Sequence, residues 1–301
     1  MLYSGGRTVT RTASNPCIRA QNVAKTESLP PEKRTATRIP FITLARFIKT
    51  MIKAVIFDLD GTLYLGKTPI KGAAEKLAEL RERGIKVLFL TNAATRSRGD
   101  VALKLRGMGF TADKKEVYCG AYILARYIAA HHKGKKVYVV GEKGVFDELS
   151  EAGIPFGEPC GVVAVGLDRE FNYDKLCRAH LAVSGGAVFL ASNYDHTYPT
   201  ESGHLPGAGS LVSSIEFASG KKAFVVGKPN TFVIEIIKKD HGLKESEIMM
   251  VGDRIDTDIT FAKNCRIKSV LVMSGSVKKK GEVGAIAPDQ IIEDVTRLSL
   301  P

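Results

Sequence analysis

The chain has 301 residues, enough for one large α/β domain or for a core that carries a second module. Hydrophobic residues make up 44% and charged residues 25%, an ordinary globular balance, and no apolar run approaches the length of a membrane span. The formal charge of +12 does not argue for nucleic acid: +7 of it sits in residues 1–50, no stretch alternates basic with aromatic residues, and there is no Trp.

Residues 1–50 differ from everything after them. They hold nine Lys/Arg and only two acids, are rich in Thr and Ser, and include the Pro30-Pro31 pair. Such a segment reads as an organelle transit peptide, as a disordered tail, or as sequence upstream of a true start at Met51. Cys17, Cys119, Cys160, Cys177 and Cys265 are scattered and odd in number, which indicates neither a disulfide framework nor a zinc site. A reducing compartment fits, so the expectation is cytoplasmic, or an organelle if the first segment is a targeting signal.

From Lys53 onward, short β-rich runs alternate with helical stretches. The order is strand 54–57, helix 72–84, strand 87–90, helices 98–108 and 121–131, and strand 137–140. Then come strand 162–165, helix 173–184, strand 188–191, helix 208–219 and strand 223–226. Helix 232–239, strand 248–251, helix 256–264 and strand 269–272 complete the series. In the first helix Ala73, Ala74, Leu77 and Leu80 form the apolar face and Gly84 supplies the stop. Repeated β-α units with continuous apolar strands mean a parallel sheet covered on both faces, with ligands at the C-terminal strand ends.

Four polar clusters stand at such ends. The first is Asp58-Leu59-Asp60-Gly61-Thr62. Two acids beside an apolar run are costly to desolvate unless a hard cation shared with phosphate oxygens offsets the cost; a helix cap or Asx turn is the plainer reading. The second is Thr91-Asn92, a hydroxyl and an amide that can donate to a phosphate oxygen, or an N-cap. The third is Gly227-Lys228-Pro229, a point charge aimed at phosphate, or a surface lysine in a turn. The fourth runs Gly252-Asp253-Arg254-Ile255-Asp256-Thr257-Asp258. Here Asp253 could take a cation and Asp258 orient its water, while Asp256 could simply favour a helix N-terminus. It is the conjunction of four clusters in one order, each after a strand, that carries the signal.

In that order these motifs resemble the haloacid dehalogenase-like (HAD) hydrolases, more narrowly the NagD-like or p-nitrophenylphosphatase subfamily. The narrower features are Gly227-Lys228-Pro229, Gly252-Asp253-Arg254-x-x-Thr257-Asp258-Ile259 and Ala191-Ser192-Asn193-Tyr194-Asp195. The resemblance implies an α/β fold with a Rossmann-like core, a parallel sheet and an inserted α/β cap of the C2 type. It places the core at 51–131 and 223–301 and the cap at 132–222, within the 135 residues that separate Asn92 from Lys228. It makes Asp58 the nucleophile that forms an aspartyl-phosphate and Asp60 the general acid and base. Mg²⁺ would be held by the Asp58 carboxylate, the Asp60 backbone carbonyl and the Asp253 carboxylate, with Asp258 supporting its waters. Thr91 and Asn92 would bind the phosphoryl oxygens, and Lys228 would neutralise charge on Asp58 and the phosphate. One departure is that Thr91-Asn92 is followed by Ala93-Ala94 where the family commonly has Asn-Ser.

Asp195, His196 and Tyr198, in the turn at 193–199, are candidate substrate contacts from the cap, although Tyr198-Pro199 could serve only to fix a loop. His204-Leu205-Pro206-Gly207 reads as a turn, and His131-His132 as a helix end. The expected partner is a small phosphorylated metabolite, with neither nucleic acid nor membrane, and a cap-mediated homodimer is compatible by analogy. The expected activity is a Mg²⁺-dependent phosphatase for phosphate monoesters. A phosphotransferase or mutase using the same aspartyl-phosphate, and a catalytically silent binding protein, are the alternatives.

Overall fold

The computed structural model describes residues 51–200, 203–276 and 286–300, so the readings made of residues 1–50 fall outside it. Along the chain, β1 (Ala54–Phe57) leads into a short hairpin, β2 (Tyr64–Leu65) with β3 (Thr68–Pro69), then α1 (Ala73–Glu82) and β4 (Lys86–Thr91). Next come α2 (Arg98–Gly107), β5 (Val117–Cys119), α3 (Gly120–His131), β6 (Val137–Val140) and α4 (Lys143–Glu151). They are followed by β7 (Val162–Val165), α5 (Tyr173–Ser184), β8 (Val188–Ala191), β9 (Thr197–Thr200), β10 (Gly203–Pro206), α6 (Ala208–Ser219) and β11 (Phe224–Val225). The chain ends with α7 (Phe232–His241), β12 (Ile248–Gly252), α8 (Thr260–Asn264), β13 (Lys268–Val272) and β14 (Gln290–Ile292).

Two parallel sheets organise these elements. The larger has the order β14-β13-β12-β1-β4-β5, the smaller β11-β8-β7-β6. In the larger sheet β1 is central, four apolar residues without exposed surface, paired in parallel with β4 and β12. Such strands must be apolar on both faces because helices cover both. The chain proceeds outward through β4 and β5, then returns and proceeds the other way through β12, β13 and β14. The direction therefore reverses between β1 and β12, which is where an open parallel sheet leaves a crevice for a ligand.

The smaller sheet uses its two faces differently. Val162, Ala164 and Leu190 join the main core, whereas Val163, Val165, Phe189 and Ala191 pack with Ala179 and Val183 of α5 and Val212 and Ile215 of α6. The alternation follows from the two-residue period of a strand. β11 pairs with β8, so this sheet extends past residue 222.

Three local features depart from the sequence reading. Residues 256–264 were expected as one helix, but a wide π-type turn over Ile255–Ile259 precedes α8. The Ile259 N–H and the Thr260 hydroxyl reach back five residues, to Arg254 O and Ile255 O. Of the turns read at 193–199 and 204–207, residues 197–199 lie in strand β9 and 204–206 in strand β10, which pair antiparallel. The pattern also left β2, β3, β5, α4 and β14 unmarked, four strands of two or three residues and one nine-residue helix. His131 does end α3, where its ring lies 4.4 Å from that of Tyr127. Among the described residues no helix is long and apolar enough to cross a membrane.

The central strands set the stability of this arrangement. Leu88 of β4 is 1% exposed within the main core. Leu88→Ala is expected to lower the unfolding free energy by about 3 kcal/mol, read from the urea midpoint at unchanged slope.

Candidate active site

The two strands that flank the reversal end in acids. Asp58 directly follows β1, and Asp253 directly follows β12. Lys228 reaches Asp58 although it enters from β11 of the smaller sheet, which ends three residues earlier in the chain. Its Nζ donates to Asp58 Oδ1 at 2.6 Å, to Asp258 Oδ1 at 2.6 Å and to Leu90 O at 3.2 Å. An ammonium has three hydrogens, and each has an acceptor here. Its side chain is 2% exposed, so the surface-lysine reading is overturned.

Asn92 sets the position of that lysine. Its Nδ2 donates to Lys228 O at 3.1 Å and its Oδ1 accepts from Lys228 N at 2.9 Å. The amide predicted to bind phosphate is thus largely spent on the backbone of Lys228, with one amide hydrogen left over. Thr91, the last residue of β4, accepts the Ala93 N–H at 3.2 Å through Oγ1, which keeps its own hydrogen for another partner.

Asp58, Asp253 and Asp258 bring one carboxylate oxygen each within 4.8 Å of one another. Asp253 Oδ2 accepts from the N–H and the hydroxyl of Ser276, both at 2.7 Å. Asp253 Oδ1 is buried and has no hydrogen-bond partner among the described residues. Gly61 permits the approach: its φ is +91°, and a Cβ there would overlap the Asp253 carboxylate. The π-type turn serves Asp258 in a similar way, bending it back so that Oδ2 accepts the Arg254 N–H at 3.1 Å while Oδ1 meets Lys228.

Three carboxylates against one ammonium leave two negative charges in a place with little water. Burial would drive the Lys228 ammonium down, but Asp258 and Asp58 outweigh it and hold it above its ordinary range. Burial pushes the Asp58 carboxyl well up; Lys228 draws it back, and Asp258 and Asp253 push it further. Asp253 is raised by burial and by Asp258 against the pull of the Ser276 bonds. An unpartnered buried oxygen, hard oxygen donors and a two-charge deficit are what a small divalent cation satisfies, so these residues fit Mg²⁺.

Asp60 faces elsewhere. Its Oδ1 accepts the Gly66 N–H at 3.1 Å, in the turn of the β2–β3 hairpin, and its carboxylate is not one of the three that converge. The cap candidates also separate. Asp195 Oδ1 pairs with Arg254 Nη1 at 3.1 Å. His196 is exposed, its ring 6.4 Å from that of Tyr194, and Tyr198 is half-buried on β9. Among the described residues neither of these two side chains hydrogen-bonds to the acidic cluster.

Sequence reasoning missed Ser276 and the hydrogen bond from Asn193 to Asn92. Ser274-Gly275-Ser276 follows β13, so a search for polar residues after every strand would have found it. Asn193 donates from Nδ2 to Asn92 O at 2.9 Å and thereby ties the smaller sheet to the second motif. A cleft of about 540 Å³ opens at the C-terminal ends of β6 and β7, where Glu142 pairs with Arg169, Asp168 with Lys175, and Lys143 with Asp147.

Residues 55–155 match the family described as haloacid dehalogenase-like hydrolase, and residues 225–298 a second family described as HAD-hydrolase-like. The 5'-nucleotidase YutF of Bacillus subtilis is 37% identical over 229 residues, 76% of this chain and 90% of that protein. The chain belongs to the haloacid dehalogenase-like hydrolases. It is a phosphoric monoester hydrolase of the branch that holds NagD and the p-nitrophenylphosphatases. The sugar-phosphatase AraL of Bacillus subtilis is 36% identical over 252 residues, 81% of this chain and 92% of that protein. The crystal structure of a 4-nitrophenylphosphatase from Thermotoga maritima superposes with a TM-score of 0.78 at 28% identity, covering 81% of this chain and 95% of that one.

The crowding of charge at Asp253 makes a prediction about stability. Asp253→Asn removes one like charge and keeps an oxygen for Ser276. In EDTA its melting temperature should equal or exceed that of the wild type. Mg²⁺ at a hundred times its dissociation constant should stabilise the wild type by about 2.7 kcal/mol and the variant scarcely at all. A variant that retained the full Mg²⁺ shift would exclude Asp253 as a ligand.

Proposed function

We propose that the chain is a Mg²⁺-dependent phosphatase that hydrolyses phosphate monoesters of small molecules through an aspartyl-phosphate on Asp58. The observation that carries this reading is the contact of the buried Lys228 ammonium with Asp58, which fixes one carboxylate oxygen and balances charge at the strand end. The names of the relatives, a 5'-nucleotidase, a sugar-phosphatase and a 4-nitrophenylphosphatase, support nucleotides, sugar phosphates or aryl phosphates as the substrate class.

In the first half-reaction an Asp58 carboxylate oxygen attacks phosphorus and the bond from phosphorus to the ester oxygen breaks. Asp60 gives its proton to the departing alcohol. In the second, Asp60 takes a proton from water, the water oxygen attacks the same phosphorus, and inorganic phosphate leaves with Asp58 restored. Asp60 suits both halves because its carboxyl group stands apart from the three crowded acids. Lys228 stabilises the negative charge shared by Asp58 and the phosphoryl oxygens. The Thr91 hydroxyl and the remaining Asn92 amide hydrogen donate to those oxygens. When bound, Mg²⁺ would be held by the Asp58 carboxylate, the Asp60 carbonyl and the Asp253 carboxylate, with Asp258 behind, and would supply charge neutralisation of the phosphoryl group. Residues 132–222 act as the cap, which limits access to small substrates and excludes bulk water.

Turnover of p-nitrophenyl phosphate checks the reading. Hydrolysis is expected with Mg²⁺, loss of it with EDTA, and a fall of at least about a thousandfold in Asp58→Asn, since an amide cannot replace the nucleophile. Equal rates for Asp58→Asn and wild type would refute the mechanism.

A further inference from the structure

Arg254 follows Asp253 in the chain and touches three carboxylates. Its backbone N–H donates to Asp258 Oδ2 at 3.1 Å. Its Nε and Nη2 donate to Asp256 Oδ1 and Oδ2 at 3.1 and 2.7 Å. Its Nη1 meets Asp195 Oδ1 at 3.1 Å. Asp256 belongs to the same loop as Arg254, so that pair is local. Asp195 comes from the loop after β8 in the smaller sheet, and its ion pair therefore crosses from one sheet's loops to the other's.

The loop that presents Asp195 is itself well anchored. The Asp195 N–H donates to Asn193 Oδ1 at 3.2 Å, and its carbonyl accepts the Gly209 N–H at the start of α6 at 3.0 Å. Asn193 in turn donates to Asn92 O. A shift of this loop would therefore move Asp195 as part of a rigid unit. The two ends of the ion pair are 20% and 35% exposed. That is dry enough for the attraction to matter and wet enough for it to break without stranding a buried charge.

We propose that the Asp195–Arg254 ion pair is a latch and that Arg254 is a positioning residue for Lys228. With Asp195 engaged, the guanidinium is held at both ends. Its backbone N–H then stays on Asp258, whose other oxygen holds the Lys228 ammonium. When the loop at 192–196 withdraws, one end of the guanidinium is released and the clamp on Asp258 loosens. The site is thus set for phosphoryl transfer only while the smaller sheet's loop covers it. Asp195 serves here as a tether, in place of the substrate contact expected from the sequence. The proposal rests on the phosphatase reading, because the group positioned is the lysine assigned there.

Two readouts separate the latch from that reading. Hydrogen exchange of the backbone amides at 192–200 reports loop release without turnover, and p-nitrophenyl phosphate kinetics report the effect on chemistry. Asp195→Asn, Arg254→Gln and the double variant are compared with wild type, and Asp195→Glu serves as the conservative variant. Each single change is expected to speed exchange at 192–200 by about tenfold, with no further gain in the double variant, because the two residues act as one pair. Both kcat and KM should worsen in the single variants, Asp195→Glu should recover much of the loss, and added salt should speed exchange in the wild type more than in the variants. Exchange at 192–200 unchanged in both single variants, or effects that simply multiply in the double variant, would overturn the latch whatever the rates. An exchange effect as expected in a wild-type chain without phosphatase turnover would keep the latch and overturn the phosphatase reading.

Discussion

The buried ammonium of Lys228 is the constraint on which the site depends. A charge this deep is tolerable only when every hydrogen finds an acceptor and an opposite charge lies close. Asp58, Asp258 and the Leu90 carbonyl supply this, and they come from three separate parts of the larger sheet. The lysine consequently fixes the distance between the loop after β1 and the turn after β12. Removing it would leave three carboxylates facing one another with no positive charge among them.

How the lysine gets there depends on a short segment. Residues 91–96 accept contacts from nearly every direction. Asn92 grips the backbone of Lys228, Asn193 reaches Asn92 O, Gly120 N–H donates to Ala93 O, and Gly144 N–H donates to Thr95 O. Just beyond, Arg98 meets the buried Glu148 of α4 through both its N–H and its Nε. The ends of both sheets therefore converge on one loop. This is why a lysine carried by the smaller sheet can reach the carboxylates at the strand ends of the larger one. The same convergence gives the Asp195–Arg254 pair its opportunity to sense where the smaller sheet's loop lies.

Much of this was legible in the sequence, for identifiable reasons. The strands at 54–57, 137–140, 162–165 and 188–191 were read with their observed bounds because parallel strands buried on both faces leave unbroken apolar runs. Asp58, Lys228 and Asp253 stand out in the sequence because charged residues just after such runs are expensive to bury, and the fold brings them together with Asp258. What the pattern could not carry was direction. Asp60 lies two residues from Asp58 but turns to the β2–β3 hairpin, since the chain leaves the strand before it reaches Asp60. Asn92 looked like a free donor, yet its partner lies 136 residues away. The strand at 223–226, just before Lys228, was assigned to the core, whereas β11 pairs with β8 of the smaller sheet. The short strands and the π-type turn were invisible because their geometry is set by tertiary bonds that have no local period.

The proposed mechanism turns on one covalent event, the transfer of a phosphoryl group to Asp58. Chemical trapping tests it most directly. Enzyme in steady turnover with Mg²⁺ and substrate is quenched in acid, reduced with borohydride and digested, and the peptide spanning 58 is weighed and sequenced. An acyl phosphate is reduced to an alcohol, so the account predicts homoserine at position 58, dependent on both substrate and Mg²⁺. Homoserine at another acid, or an unmodified peptide from enzyme shown to be turning over, would contradict it.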